Sequence, residues 1–184
     1  MLLLLTACAG LNRPPSAEPI PADPVAEPTA DAGHDGSNDD GEPAGMTALD
    51  EAALGALLAN PGAEPLVVNF WATWCGPCVR EMGVFRDVAA EHTSVRFALV
   101  NVEGTRNEAA VLRFLSNEGG GLPAFNLTSA DASGVLSRTV PAWPNLIPVT
   151  LVIEPGGAIR TRFDGALDAP ALREALAGPG PSGR

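Results

Sequence analysis

The sequence predicts an α/β domain built on a mixed central sheet covered by helices on both faces. Three observations lead there. From about Met46 onward, strand-like apolar segments alternate with segments of helical period. Leu66 to Trp71 is a nearly continuous apolar run, as required of a strand buried on both sides. Near the end, Val149 to Glu154 and Ala158 to Phe163 flank Pro155-Gly156-Gly157, the pattern of an antiparallel hairpin.

The elements follow in order. Thr47 to Asn60 reads as a helix, with Thr47 and Asp50 spaced like a capping box and Leu54, Leu57 and Leu58 on one face. After the Leu66–Trp71 strand, Gly76 to about His92 is helical. Cys78, Met82, Phe85 and Ala89 form its apolar stripe, Glu81 borders that stripe and Arg80 points the opposite way. Val95 to Val102 reads as strand, and Asn107 to Asn117 as a helix ended by Gly119-Gly120-Gly121. A short strand at Ala124 to Leu127 and a short helix near Ala130 to Arg138 precede the hairpin. Asp168 then caps a last helix running to about Ala177.

Charge and composition separate a tail from this domain. Between Asn12 and Gly45, Pro, Ala, Gly, Asp and Glu dominate, and eight acids face one Arg. Too little apolar surface is available there to offset the entropy of ordering, so residues 9–45 are expected to be a disordered acidic tether and 46–184 the folded domain. Of the formal charge of −11, about −7 lies on the tail and about −4 on the domain. Such a balance argues against a nucleic-acid partner and reads most simply as a solvated spacer.

The chemistry concentrates in Trp74-Cys75-Gly76-Pro77-Cys78, at the junction of a strand and a helix. Two cysteines with two residues between them can bridge locally. The junction places the first sulfur over unpaired N–H groups and the positive end of the helix dipole, which favours the thiolate, the attacking species in disulfide exchange. A zinc site would need two further ligands. The remaining Cys8, His34 and His92 supply them poorly: the first two lie in the tail or ahead of it, and His92 sits near the far end of the helix that Cys75 begins. A purely structural disulfide would close a very small loop and constrain the unfolded chain little. No metal is therefore expected, and no cofactor besides a redox-active Cys75–Cys78 disulfide.

At the N-terminus, Leu5-Thr6-Ala7-Cys8 resembles the lipobox of bacterial lipoproteins, in which the Cys is lipidated and becomes the first residue of the mature chain. Only seven residues precede Cys8 and none is charged, whereas secretory signals usually run ~15–30 residues with a basic start. The run is also far shorter than the ~20 apolar residues a spanning helix needs. On this resemblance residues 1–8 are a lipoprotein-type signal ending at the lipidation site Cys8. The tail is then a tether, spanning roughly 30–35 Å root-mean-square, that holds the domain just outside a membrane in an oxidising compartment such as the periplasm.

The stretch from Val67 to Glu81, Val67-Val68-Asn69-Phe70-Trp71-Ala72-Thr73-Trp74-Cys75-Gly76-Pro77-Cys78-Val79-Arg80-Glu81, together with Ile147-Pro148-Val149-Thr150, resembles the thioredoxin-fold thiol–disulfide oxidoreductases. Within them it is most similar to the membrane-tethered, extracytoplasmic TlpA/ResA-like group. The likeness covers about Leu66 to Ala177. It implies a thioredoxin-like fold with an inserted helix-strand element, here about Asn107 to Leu127. It also implies a cis-proline at Pro148, whose preceding backbone at Ile147 pairs with an extended substrate chain. The acid that thioredoxin buries beneath its dithiol falls at Asn69, which cannot ionise. In the TlpA/ResA-like group a Glu three residues after the second Cys is similarly placed, and Glu81 occupies that position.

These expectations make the chain an enzyme. Cys75 attacks a partner's disulfide, Cys78 resolves the mixed disulfide, and Glu81 takes the proton from Cys78. Trp74, Gly76, Pro77, Ile147 and Pro148 are the expected substrate contacts, with Trp143 a further apolar flank. The partners expected are disulfide-bearing exported proteins, a membrane electron donor and, through Cys8, the membrane itself; the chain is expected to act as a monomer. Gly76-Pro77 matches reducing members of the group, so a protein-disulfide reductase is the first choice, and reduction of apocytochrome c haem-site cysteines is one role within that group. An oxidase or isomerase that forms disulfides in exported proteins, and a metal-binding or redox-inert module, are the alternatives.

Overall fold

The computed structural model describes residues 45–178. The expected lipidation site Cys8 and the expected tether up to Ala44 lie outside the described residues. The elements are β1 (Thr47–Leu49), α1 (Glu51–Leu58), β2 (Leu66–Trp71), α2 (Gly76–Glu91), β3 (Arg96–Asn101), α3 (Glu108–Glu118), β4 (Ala124–Leu127), α4 (Ala132–Thr139), β5 (Val149–Ile153), β6 (Ile159–Asp164) and α5 (Ala169–Ala177). A 3-10 turn, Thr105–Asn107, leads into α3.

All six strands form one sheet in the order β1-β4-β3-β2-β5-β6. β1, β4, β3 and β2 run parallel; β5 is antiparallel to β2, and β6 to β5. The apolar pattern of β2 follows from its central place, for every one of its residues is buried. Val67 and Trp71 face one side, packed with Met82, Phe85 and Val88 of α2, Val111 and Leu115 of α3 and Leu172 of α5. Val68 and Phe70 face the other, against Leu54 of α1 and Val135 and Leu136 of α4. Helices therefore cover both faces. The expected insertion is present as α3 and β4, and β4 is slotted between β3 and β1.

One expected boundary is corrected. Thr47 does not begin a helix: Thr47, Ala48 and Leu49 form β1, in register with Phe125, Asn126 and Leu127 of β4. A ladder partner supplied by the insertion outweighs the local helical pattern. Asp50 is itself the N-cap of α1, its carboxylate accepting from the Ala53 N–H at 2.8 Å. In the hairpin, Gly156 and Gly157 take φ of 85° and 89°, conformations open to glycine at little cost.

The sheet brings the chemistry to one edge. Trp71 pairs with Asn101, so β2 and β3 end side by side. β5 runs back from that same end, with Val149 opposite Phe70. The segments just after β2, just after β3 and just before β5 thus converge at the start of α2.

Candidate active site

Cys75 and Cys78 are joined in a disulfide with a Cα–Cα separation of 5.3 Å. Cys75 is the N-cap of α2, with extended backbone at φ −83° and ψ 97°, and its sulfur accepts from the Cys78 N–H at 3.3 Å. Pro77 sits in the first turn, where its missing N–H costs no hydrogen bond. Cys75 retains 5% of its surface and Cys78 none, which makes the first sulfur the one a partner can reach. Trp74 beside it is 69% exposed. Gly76 and Pro77 are exposed as well, so the rim of the disulfide is open on the helix side.

Ile147-Pro148 is a cis peptide bond, as the resemblance implies. The Pro148 carbonyl accepts from Gly165 N–H at 2.9 Å. Between Trp74 and Ile147 opens a groove of about 450 Å³ whose lining, including Val102, Leu136, Trp143 and Leu146, carries no charged side chain. Trp143 is half-buried and packs edge-on against Phe70, ring centroids 5.4 Å apart, so its role in packing and its place in the groove coexist.

Glu81 lies deeper than the border position its spacing suggests, at 3% exposure. One carboxylate oxygen accepts from Asn69 Nδ2 at 3.0 Å and the other from the Leu167 N–H at 3.0 Å. Asn69 Nδ2 also donates to Thr150 Oγ1 at 3.0 Å, and Asn69 Oδ1 has no partner among the described residues. Burial pushes the Glu81 carboxyl up to about 7, and the hydrogen bonds from Leu167 and Asn69 act in the opposite sense. A carboxyl of that acidity exchanges protons near neutral pH. Its position on α2, three residues after Cys78, places it one turn along the same helix.

Sequence reasoning missed a second acid, Glu103, two residues past the end of β3. Its Oε1 accepts from the Thr73 N–H and, at 3.3 Å, from Asn101 Nδ2; its Oε2 accepts from Asn107 Nδ2 at 3.0 Å. Burial alone would raise this carboxyl, but the donors from Thr73, Asn107 and Asn101 together hold it below the usual carboxylate range. The available signal was the parallel pairing of β2 with β3, which sets Thr73 and Glu103 at neighbouring strand ends.

The described residues contain no cluster of three or more potential metal ligands, and no helix among them is long and apolar enough to cross a membrane.

The thioredoxin family profile matches residues 46–134. The chain carries a thioredoxin-fold domain. This domain is 31% identical over 115 residues to the thiol-disulfide oxidoreductase ResA of Oceanobacillus iheyensis, a match covering 60% of this chain and 54% of that protein. It is 33% identical over 112 residues to a thiol:disulfide interchange protein DsbE homologue of Paracoccus denitrificans, covering 60% of this chain and 55% of the relative. The chain therefore spans about half the length of the curated relatives it matches. Among solved structures, StoA of Bacillus subtilis superposes with a TM-score of 0.51 at 22% identity, over 62% of this chain and 83% of StoA.

Proposed function

We propose that this chain is an extracytoplasmic thiol–disulfide oxidoreductase that reduces protein disulfides by dithiol exchange through Cys75 and Cys78. The observation that carries the proposal is the stacking of three groups along one helix. Cys75 caps its start with slight exposure, Cys78 lies fully buried in the first turn, and Glu81 is buried one turn further with a carboxyl pushed up to about 7. The ResA and DsbE names of the relatives support the same chemistry.

In the reduced enzyme the Cys75 thiolate attacks a partner disulfide. A bond forms between Cys75 and one partner sulfur, and the other partner sulfur leaves as a thiolate that takes a proton. Glu81 then accepts the proton of Cys78, whose thiolate attacks the Cys75 sulfur. The partner departs as a dithiol, and the Cys75–Cys78 disulfide seen here is left behind. Two electrons from a membrane dithiol donor restore the starting state. No cofactor besides the disulfide is needed. Trp74, Gly76, Pro77, Ile147 and Pro148 form the docking rim. The partners are exported proteins bearing disulfides, a class that includes the haem-site cysteines of apocytochrome c. Cys8 anchors the chain to the membrane as a lipoprotein facing the periplasm, with residues 9–45 as tether, and the enzyme works as a monomer.

Redox titration of Cys75 and Cys78 against glutathione or dithiothreitol tests the direction. A potential below about −220 mV supports reduction. One near about −120 mV would make the chain a disulfide-forming oxidase instead.

A further inference from the structure

The loop between β2 and α2 sets where the nucleophilic sulfur stands, and the structure shows what holds that loop. At its base, the Trp71 carbonyl accepts from the Val102 N–H at 3.0 Å. At its far end, the Cys75 N–H closes onto the Ala72 carbonyl at 3.2 Å. Between these, the Thr73 N–H donates to the Glu103 carboxylate. A carboxylate accepting a backbone N–H is among the stronger hydrogen bonds, and Glu103 is itself immobilised. Asn107 holds its second oxygen, and the Glu103 N–H donates to Asn101 Oδ1 at 2.9 Å. Asn101 is fully buried at the end of β3, so the clamp is anchored in the sheet.

We propose that Glu103 is the positioning residue of the nucleophile loop, fixing Thr73 so that the Cys75 sulfur is held over the first N–H groups of α2. This rests on the assignment of Cys75 as nucleophile made above. The mechanism is geometric. Thiolate stabilisation at a helix start falls off within the first turn, so a small displacement of Cys75 weakens it. The charge of Glu103 acts in the other direction, because a nearby anion disfavours a second one. The two effects can therefore be told apart by their sign.

The test is the pH dependence of iodoacetamide alkylation of Cys75 in the reduced full chain, for wild type, Glu103→Ala and Glu103→Gln. Gln keeps an oxygen for the Thr73 N–H, and its amide can donate to Asn107 once that side chain turns over. The expected result is a midpoint raised by about one pH unit in Glu103→Ala, with the midpoint of Glu103→Gln within about 0.3 pH unit of wild type. An unchanged midpoint in Glu103→Ala would overturn the proposal. So would equal lowering in both variants, which is the signature of a charge acting without positioning. If Glu103→Ala does not fold, Asn107→Ala carries the test from an exposed site: a smaller upward shift supports the clamp, and none overturns it. An ordinary, unlowered midpoint in wild type would instead undermine the assignment of Cys75, and so separates the two failures.

Discussion

At the scale of single residues, the site works by giving neighbouring groups different burial. Cys75 and Cys78 are chemically the same side chain, yet one keeps a sliver of surface and the other keeps none. Glu81, with its carboxyl pushed up to about 7, is protonated in acid and competent as a base above neutrality. Resolution of the mixed disulfide should therefore accelerate as pH rises through about 7. Glu81→Gln should remove that inflection and slow the release step about 100-fold at pH 7.5, the usual scale of general base catalysis. Stopped-flow release from a preformed Cys75 mixed disulfide measures this. An unchanged inflection would remove Glu81 from the mechanism. Glu81 was legible because helical spacing places it near Cys78 and the resemblance supplied its role. Glu103 was not, since its partner Thr73 lies thirty residues away and only the register of β2 against β3 joins them.

At the scale of elements, short caps determine where the site's donors sit. Asp168 caps α5 by accepting from the Ala171 N–H at 2.9 Å, and the residue just before it, Leu167, donates its N–H to Glu81. The start of α5 is thus tied to Glu81 of α2. Asp168→Ala should cost about 1 kcal/mol of stability through the lost cap. It should also loosen the Leu167 donor, a group that lowers the Glu81 carboxyl, so the inflection in resolution should move to higher pH. A thermal melt and the same stopped-flow profile read the two effects separately, and a melt that falls with no movement of the inflection would show that cap and acid are independent. Helix caps of this kind were readable locally, as Asp168 was. The start of the domain was not: the Thr47-x-x-Asp50 spacing looks helical by itself, and what makes Thr47–Leu49 a strand is β4, whose paired residues lie 78 positions further along. Local pattern gives way where a distant strand supplies a ladder.

At the scale of the whole molecule, burying Glu81 sets an electrostatic cost against function. The central sheet has cores on both faces, and Cys75, Cys78 and their neighbours belong to one of them. Unfolding would expose Glu81 and return its carboxyl to about 4.5, whereas the fold holds it at about 7. With the folded value above the unfolded one, the folded state binds more protons between these limits. Stability from this group is present in full below about 4.5 and is lost as pH rises through about 7. At about 1.4 kcal/mol per unit, the loss is of order 3 kcal/mol. Glu81→Gln removes the ionisation. Its amide needs an acceptor, which a turn of Asn69 supplies through Oδ1 with the Thr150 hydroxyl donating in return; Asn69 Nδ2 then takes the place where Oδ1 had no partner, a cost that is the same at every pH. Denaturant unfolding of oxidised wild type and Glu81→Gln should therefore show the difference between the two moving in the variant's favour by about 2–3 kcal/mol between pH 5 and pH 8.5. Titrations of the surface carboxylates are common to both proteins and cancel in the difference. Curves that stay parallel across this range would mean that Glu81 ionises as freely in the fold as in water, and that the proton acceptor for Cys78 must be sought elsewhere.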